Sequence, residues 1–237
     1  MRVLITSAAS PWPRELAASL SGSHDVRLTD QTEVSSDLEF VRSDLGHQAP
    51  TNDLVRGMDA IVHPGDVDPA ASGSDQLDFQ MRCSYNLLWA AAEEGVSRFI
   101  YLSSLRLMDR YDEGLAVTER WSPVPTVDVP VLCYHLGEYV CKEFAREGKA
   151  DVVVLRLGDI TANGSPAQSS SALYVDDAVQ AVERALTADL LGWNIFHIQS
   201  AVPNARFLTG QPWWKADDVD PPVSLGHTPR QRDAGGR

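Results

Sequence analysis

Histidine and cysteine side chains could bind a metal ion or act in nucleophilic catalysis, but their spacing in this sequence favours neither role. The six histidines stand singly along the chain, and Cys83, Cys133 and Cys141 show no C-x-x-C spacing. The sequence also contains no H-E-x-x-H motif, no G-x-S-x-G nucleophile elbow and no P-loop. We therefore expect no metal site, and the hydrolases that depend on these motifs are excluded.

The functional groups of this chain must be positioned by short apolar runs that alternate with helical patterns. The runs lack a polar–apolar alternation, which is typical of strands buried on both faces of a parallel sheet. The predicted strands are residues 3–5, 26–28, 40–41, 60–62, 99–102, 152–155 and 195–198. Apolar residues at helical spacing predict helices over residues 14–20, 79–94, 132–146 and 176–186.

This alternation predicts a doubly wound, Rossmann-like α/β fold, because parallel strands need crossovers that place helices on both faces of the sheet. A length of 237 residues suits one domain. We expect a single domain over residues 1–225, in which residues 160–225 form a small, shortened C-terminal substrate-side region. The polar, glycine-rich residues 226–237 are expected to be a disordered tail.

The chain is acidic, with 33 Asp and Glu against 20 Lys and Arg and a formal net charge of −13. This excess argues against nucleic acid and membrane surfaces as partners, because both are polyanions that attract Lys and Arg. The first apolar run is too short for a signal peptide, and no apolar stretch is long enough to span a membrane. An odd number of cysteines does not suggest a disulfide framework. These features predict a cytoplasmic protein with reduced thiols.

Several segments, in the right order, resemble the extended short-chain dehydrogenase/reductases, a family that includes nucleotide-sugar epimerases and dehydratases. The family's third strand, short helix and fourth strand resemble VRSDLGHQAPTNDLVRGMDAIVH. Its central helix, and the strand that carries its active-site serine, resemble NLLWAAAEEGVSRFIYLSS. Its later segments resemble VVVLRLGDI, YVDDAVQAVERAL and LGHTPR. The resemblance implies a Rossmann domain with NAD as the cofactor.

The resemblance places the cofactor phosphates at the turn after the first strand, where relatives carry T-G-x-x-G-x-x-G. Here the turn begins at Thr6, and the three glycine positions hold Ser7, Ser10 and Pro13. Glycines at these positions let the backbone approach the pyrophosphate, and proline removes an amide donor. One interpretation is a modified phosphate loop in which Ser7, Ser10 and Trp12 contact NAD. The other is a turn that no longer binds a dinucleotide, with Trp12 occluding the cleft.

Three further residues are implied as cofactor contacts. Asp30 ends the second predicted strand, where an acidic residue would accept hydrogen bonds from the adenosine ribose and favour NAD over NADP. Asp44 falls at the family position that borders the adenine, and His63, at the end of the fourth predicted strand, completes the candidate set. The alternative is that Asp30 and Asp44 only begin turns at strand ends.

The family's catalytic groups are a Ser or Thr and a Tyr-x-x-x-Lys pair on one helix face, where the Lys ammonium lowers the pKa of the Tyr. Ser104 matches the serine position. One register places Pro130 at the Tyr position and Tyr134 at the Lys position. The other uses Tyr134 as the Tyr and puts Glu138 at the Lys position, where a carboxylate would raise the pKa of the phenol. Ser104 and Tyr134 are the candidate catalytic residues, with purely structural roles as the alternative.

These observations lead to a main hypothesis and two alternatives. The main hypothesis is a degenerate NAD-dependent epimerase/dehydratase-like protein that has lost the Tyr/Lys chemistry and acts as a binding or partner subunit, with weakened NAD binding. The alternatives are an active NAD(P)-dependent oxidoreductase, epimerase or dehydratase with atypical site residues, and a dinucleotide sensor without turnover. A small-molecule ligand fits each of the three. Residues 79–94 and 132–146 resemble the helices through which relatives dimerise, so a homodimer or pairing with a related subunit is expected.

Overall fold

The computed structural model describes residues 1–47 and 49–207, in which strands and helices alternate along the chain. The strands are β1 (Arg2–Ile5), β2 (Asp25–Asp30), β3 (Glu39–Arg42), β4 (Ala60–Pro64), β5 (Arg98–Ser104), β6 (Asp151–Leu157), β7 (Asp159–Thr161), β8 (Ala172–Tyr174) and β9 (Trp193–Ile198). The helices are α1 (Pro11–Leu20), α2 (Ala49–Val55), α3 (Gly73–Asp78), α4 (Ser84–Glu94), α5 (Val129–Arg146) and α6 (Val175–Thr187). A π-helical turn, Phe79–Cys83, joins α3 to α4, and a 3₁₀ turn, Leu105–Met108, follows β5.

Seven strands form one parallel sheet in the order β3-β2-β1-β4-β5-β6-β9. All seven predicted strands are present in it. Strands β2 and β3 are added on one side of β1, and the chain then returns to add β4 on the other side. A cleft therefore opens at the carboxyl ends of β1 and β4, which is the topological switch point where such folds bind ligands. The predicted doubly wound, Rossmann-like fold is confirmed.

The sheet separates two apolar cores. Ile5, Ile100 and Leu155 point towards the side covered by α1 and α6, whereas Leu4 and Phe99 point towards the side covered by α2, α4 and α5. Successive residues of one strand thus enter opposite cores, as the period of a strand requires. Because both faces are covered, the central strands carry continuous apolar runs such as residues 3–5 and 152–155.

The helix boundaries differ from the predicted ones mainly at their starts. Helices α1 and α5 begin at Pro11 and Val129, earlier than predicted, with a proline in the first turn of each. A proline is tolerated there because the first helical amides have no intrahelical acceptor. The predicted helix over residues 79–94 is a longer helical segment that starts with α3 and includes the π-helical turn. It ends at Gly95, whose φ of +72° favours glycine.

The region after β6 starts with a feature that the sequence pattern did not predict. Strands β7 and β8 pair as a separate two-stranded sheet, and three-residue strands are too short to show a periodicity. Part of the predicted substrate-side region, residues 208–225, lies outside the described residues, as do the predicted tail, residues 226–237, and the LGHTPR segment. In the described part of the chain, no helix combines the length and the apolar character needed to cross a bilayer.

Candidate functional site

A cavity of about 410 Å³ lies at the carboxyl ends of β1, β2 and β4. Its walls are the segments that follow these strands, together with α3 and the start of the π-helical turn. The polar side chains in its lining include Ser7, Ser10, Thr29, Asp30, Asp66, Asp68, Asp75 and Gln76. A volume of this size lies in the range of small-molecule sites, and its position is the switch point of the sheet.

The turn after β1 is the part of the cavity that would face cofactor phosphates. Ser7 has a φ of +59°, a conformation that favours glycine. Ser10 precedes α1 and its side chain caps no helix amide, so its hydroxyl is available to a ligand. Of the first amides of α1, those at Pro11 and Pro13 are missing, and the N–H of Ser10 donates to the carbonyl of Ser7 at 3.1 Å. This turn therefore offers a phosphate fewer backbone donors than an ordinary helix N-terminus does.

Trp12 does not occlude the cavity. Its ring is half-buried against the apolar core under α1 and is not part of the cavity wall. The structure gives no support to Trp12 as a ligand contact, because its ring packs against the core under α1.

Asp30 lies where the sequence placed it, at the end of β2 and in the cavity wall. Its carboxylate accepts the N–H of Ala9 at 2.9 Å and the N–H of Thr32 at 2.8 Å. It therefore ties the turn after β1 to the end of β2. Each carboxylate oxygen can accept a further hydrogen bond, so Asp30 can also receive the hydroxyls of a ribose.

Asp44 is not brought into the cavity. It is exposed, and its carboxylate accepts the N–H of Gly46 at 3.0 Å within its own loop. Its neighbours Ser43 and Leu45 line the cavity instead. The structure therefore favours the alternative in which Asp44 only begins a turn.

His63 lies beneath the cavity, fully buried, rather than in its wall. Its Nδ1 is 2.7 Å from the hydroxyl of Thr6, and its Nε2 is 2.9 Å from the hydroxyl of Ser84. Burial lowers the pKa of His63 to about 4, so the ring is neutral at physiological pH. His63 supports Thr6 from below and is not itself placed to contact a ligand.

Tyr134 and Asp66 form the pair of ionisable groups at the end of the cavity. Asp66 follows β4 and lines the wall, and the hydroxyl of Tyr134, from α5, donates to its Oδ1. Gly65 permits this approach, since a Cβ there would lie 2.8 Å from the Tyr134 ring. Loss of hydration in the cleft raises the pKa of the Asp66 carboxyl, and the hydrogen bond from Tyr134 lowers it. The sequence analysis missed Asp66, although its place shortly after the predicted strand over residues 60–62 was a signal for a cleft residue.

Burial, together with the charge and the hydrogen bond of Asp66, raises the pKa of Tyr134. The charge of Arg106 acts in the opposite direction, but the phenol stays protonated near neutral pH. With Glu138 at the Lys position, the sequence predicted that a carboxylate raises the pKa of Tyr134. The carboxylate that raises this pKa is that of Asp66.

Glu138 is buried in an ion pair with Arg156 and does not approach the Tyr134 hydroxyl. Arg156 donates to both Glu138 oxygens, from Nε at 2.8 Å and from Nη2 at 2.7 Å. Ser103 donates to the same carboxylate at 2.6 Å, and His197 Nε2 lies 3.5 Å from Arg156 Nη1. Burial, and then the charge of Arg156, lower the pKa of His197 to about 3. This cluster joins α5 to β5, β6 and β9 and explains how a Glu is tolerated inside the fold.

Ser104 and Tyr134 have different hydrogen-bond partners. Its hydroxyl accepts the N–H of Arg106 at 3.2 Å and caps the 3₁₀ turn after β5. The structure therefore supports the alternative in which Ser104 stabilises the end of a strand. In the described residues, no cluster of His, Cys, Asp and Glu has the arrangement of a metal site.

Comparison with known proteins is consistent with this fold. The model of the NAD dependent epimerase/dehydratase family matches residues 14–194, and the chain belongs to this family, as the sequence resemblance predicted. The matched segment begins directly after the turn that carries Ser7, Ser10 and Pro13.

The relatives of the chain include dehydrogenases of sugar acids. The chain is 27% identical over 237 residues to a uronate dehydrogenase of Pseudomonas putida, covering 97% of this chain and 84% of that protein. The crystal structure of glucuronic acid dehydrogenase from Chromohalobacter salexigens superimposes with a TM-score of 0.80 at 24% identity, over 97% of this chain and 84% of that one. A mutant uronate dehydrogenase from Agrobacterium tumefaciens, complexed with NAD, gives a TM-score of 0.79 at 23% identity, over 88% and 80%. These two structural likenesses show the fold.

Proposed function

We propose that this protein is an NAD-dependent oxidoreductase that oxidises a hydroxyl group of a small sugar acid, with Asp66 as the proton acceptor. The observation that carries the proposal is Asp66, a carboxylate in the wall of a cleft at the switch point that accepts the hydroxyl of Tyr134. The names of the curated relatives support a uronate as the first substrate class to test. This is the active alternative from the sequence analysis, and the relatives favour it over loss of activity.

The residues of the cavity fit an NAD molecule at two places. Asp30 can accept hydrogen bonds from the adenosine ribose, and its negative charge disfavours the additional phosphate of NADP. The hydroxyls of Ser7 and Ser10 are donors for the pyrophosphate. When bound, NAD supplies a hydride acceptor.

Asp66 and Tyr134 have different roles in this proposal. The Asp66 carboxylate accepts the proton of the substrate hydroxyl as the carbon of that group becomes a carbonyl. Tyr134 remains protonated and donates to Asp66, so it positions the carboxylate and favours its ionised form. The chemistry is thus divided between an aspartate base and a tyrosine donor, and it needs no lysine beside the tyrosine.

The second candidate is a dinucleotide-binding protein without turnover, which is the sensor alternative of the sequence analysis and shares the lost Tyr/Lys chemistry with its main hypothesis. The observation in its favour is that Glu138, one helical turn after Tyr134, is paired with Arg156. No ammonium group therefore stands at that position. A phenol of raised pKa cannot act as the phenolate base used by relatives.

A turnover assay separates the two candidates. Purified protein is incubated with NAD and a panel of uronates and neutral sugars, and NADH formation is followed by absorbance. We expect oxidation of at least one uronate, and Asp66→Asn should lower kcat by about a hundredfold or more. The matched control is Asp53→Asn, an exposed carboxylate on α2 paired with Arg56. Saturable NAD binding with no turnover of any panel member would favour the binding protein instead.

A further inference from the structure

A uronate carries a carboxylate, and proteins bind carboxylates most strongly with Arg or Lys. The cavity itself does not supply such a cation. Among the described residues that line it, the charged side chains are Asp30, Asp66, Asp68 and Asp75, and none is Lys, Arg or His. A substrate carboxylate placed among these groups would be repelled. A cation for the substrate must therefore come from outside the cavity wall, near Asp66.

The strand next to β4 carries a candidate for this cation. The N–H of Gly65 donates to the carbonyl of Leu102 at 2.8 Å, so the carboxyl ends of β4 and β5 lie side by side. Asp66 follows β4, and the 3₁₀ turn Leu105–Met108 follows β5. Both therefore stand at the edge of the sheet where such folds bind ligands. The cation in this turn is Arg106.

Arg106 lies close to the proposed proton acceptor. Leu105 and Leu107, on either side of it in the chain, belong to an apolar cluster against which Tyr134 packs. The charge of Arg106 is near enough to Tyr134 to lower the pKa of its phenol. The hydroxyl of Tyr134 in turn donates to Asp66. A substrate whose hydroxyl meets Asp66 thus has Arg106 in its neighbourhood.

The guanidinium of Arg106 is also available to a ligand. It donates to Asp128 at 3.0 Å, and the two side chains are 46% and 52% exposed. Exposed ion pairs contribute little to stability, so a second carboxylate can share or replace this contact. Two other arginines near this edge are occupied. Arg156 is buried against Glu138, and Arg206 donates to backbone carbonyls of the loop after β5.

We propose that Arg106 is a specificity residue that binds the carboxylate of the substrate. This inference rests on the proposed function, because it assumes a sugar acid as the substrate and Asp66 as the base. A guanidinium offers a carboxylate two parallel N–H donors. Its positive charge also offsets the repulsion between the substrate carboxylate and Asp66. A neutral sugar lacks this contact, so Arg106 favours the sugar acid.

Steady-state kinetics of the full chain, with saturating NAD and the uronate that it oxidises best, test this inference. Arg106→Leu should raise KM for the uronate about tenfold or more, and Arg106→Lys should recover part of the loss. The affinity for NAD, measured by calorimetry, should stay unchanged. Asp128→Asn should lower KM, because it frees the guanidinium and the Asp128 side chain caps no helix amide. The matched control is Arg110→Leu, at an exposed arginine just after the same turn.

The other outcomes overturn the inference in different ways. If Arg106→Leu oxidises the uronate with an unchanged KM, the inference fails while the proposed function stands. A loss confined to kcat would also overturn it, because Arg106 would then act on the reaction and not on binding. A parallel loss of NAD affinity would show that the residue only supports the fold. If the unaltered protein oxidises no uronate, the proposed function and this inference fail together.

Discussion

Tyr134 and Asp66 come from α5 and from the end of β4, 68 positions apart in the sequence, and share one hydrogen bond. Their pKa values change together because the phenol stabilises the carboxylate while the carboxylate disfavours the phenolate. At the scale of single residues, this contact supports the proposal that Asp66, and not Tyr134, is the proton acceptor.

The contact predicts a shift in the pH dependence of activity. Asp66 acts as a base only when it is ionised, so kcat/KM should fall as the pH drops through its raised pKa. The hydrogen bond from Tyr134 lowers that pKa, and Tyr134→Phe should therefore move the acidic limb of the profile to higher pH. Profiles of kcat/KM for both proteins provide the measurement. Tyr139→Phe, on the exposed face of the same helix, is the control, and a limb that stays in place or moves to lower pH would refute the assignment.

The buried pair of Arg156 and Glu138 predicts a large effect on stability. Arg156→Leu leaves a buried carboxylate without its cation and should lower the free energy of unfolding by about 3–5 kcal/mol. Arg82→Leu removes the exposed pair with Asp78 and should cost at most about 1 kcal/mol. Urea titrations of both variants measure the two free energies of unfolding. Similar losses would show that the buried pair stabilises the fold no more than the exposed pair does.

The sequence predicted part of the candidate site. Ser7, Ser10 and Asp30 line the cavity, because the ends of parallel strands meet at one edge and their position follows from the strand pattern. Asp44 and His63 end up outside it, since their side chains satisfy a local turn and a buried hydrogen bond. No spacing rule connects two groups that meet only in the folded chain, which is why Asp66 was missed.

At the scale of elements, the sheet was the most predictable part of the molecule. Strands buried on both faces carry a strong apolar signal, whereas the edge strand β3, whose residues are exposed or half-buried, was anticipated only from Phe40 and Val41. Helix starts were less predictable, since the prolines of α1 and α5 can either precede a helix or occupy its first turn. Strands β7 and β8 pair only with each other, and three residues are too few to show the sequence pattern of a strand.

The turn between β1 and α1 predicts opposite effects for one substitution at two serines. Ser7→Gly should raise the free energy of unfolding by about 0.5–1 kcal/mol, because it relieves a side chain at a φ of +59°. Ser10→Gly should bring no such gain, since Ser10 has a φ of −75°. Denaturant titrations compare the two variants. A gain at Ser10 equal to that at Ser7 would show that backbone strain is not the cause.

At the scale of the whole molecule, α4 and α5 expose aromatic side chains on one side of the domain. Tyr85 and Tyr139 are 42% and 59% exposed, and the ring of Trp89 stacks on Tyr85 with centroids 6.1 Å apart. Aromatic residues at a surface favour burial in an interface. We propose that two copies of the chain pair through this face, in line with the expectation from the sequence.

Pairing of copies can be tested by sedimentation. At micromolar concentration the protein should sediment with twice the monomer mass, and the double variant Trp89→Glu, Tyr139→Glu should sediment as a monomer. The control variant Ile160→Glu changes an exposed apolar residue on β7, away from these helices. A monomer at every concentration would contradict the proposed pairing.

The most direct measurement is calorimetric titration of NAD⁺ into protein that mass spectrometry shows to be free of co-purified cofactor. The serine hydroxyls and Asp30 of the cavity predict saturable binding with a micromolar Kd, weakened by Asp30→Ala. Absence of binding at millimolar NAD⁺ would mean that the prolines and serines of the first turn have closed the cleft to dinucleotides. An NAD-dependent activity would then be excluded.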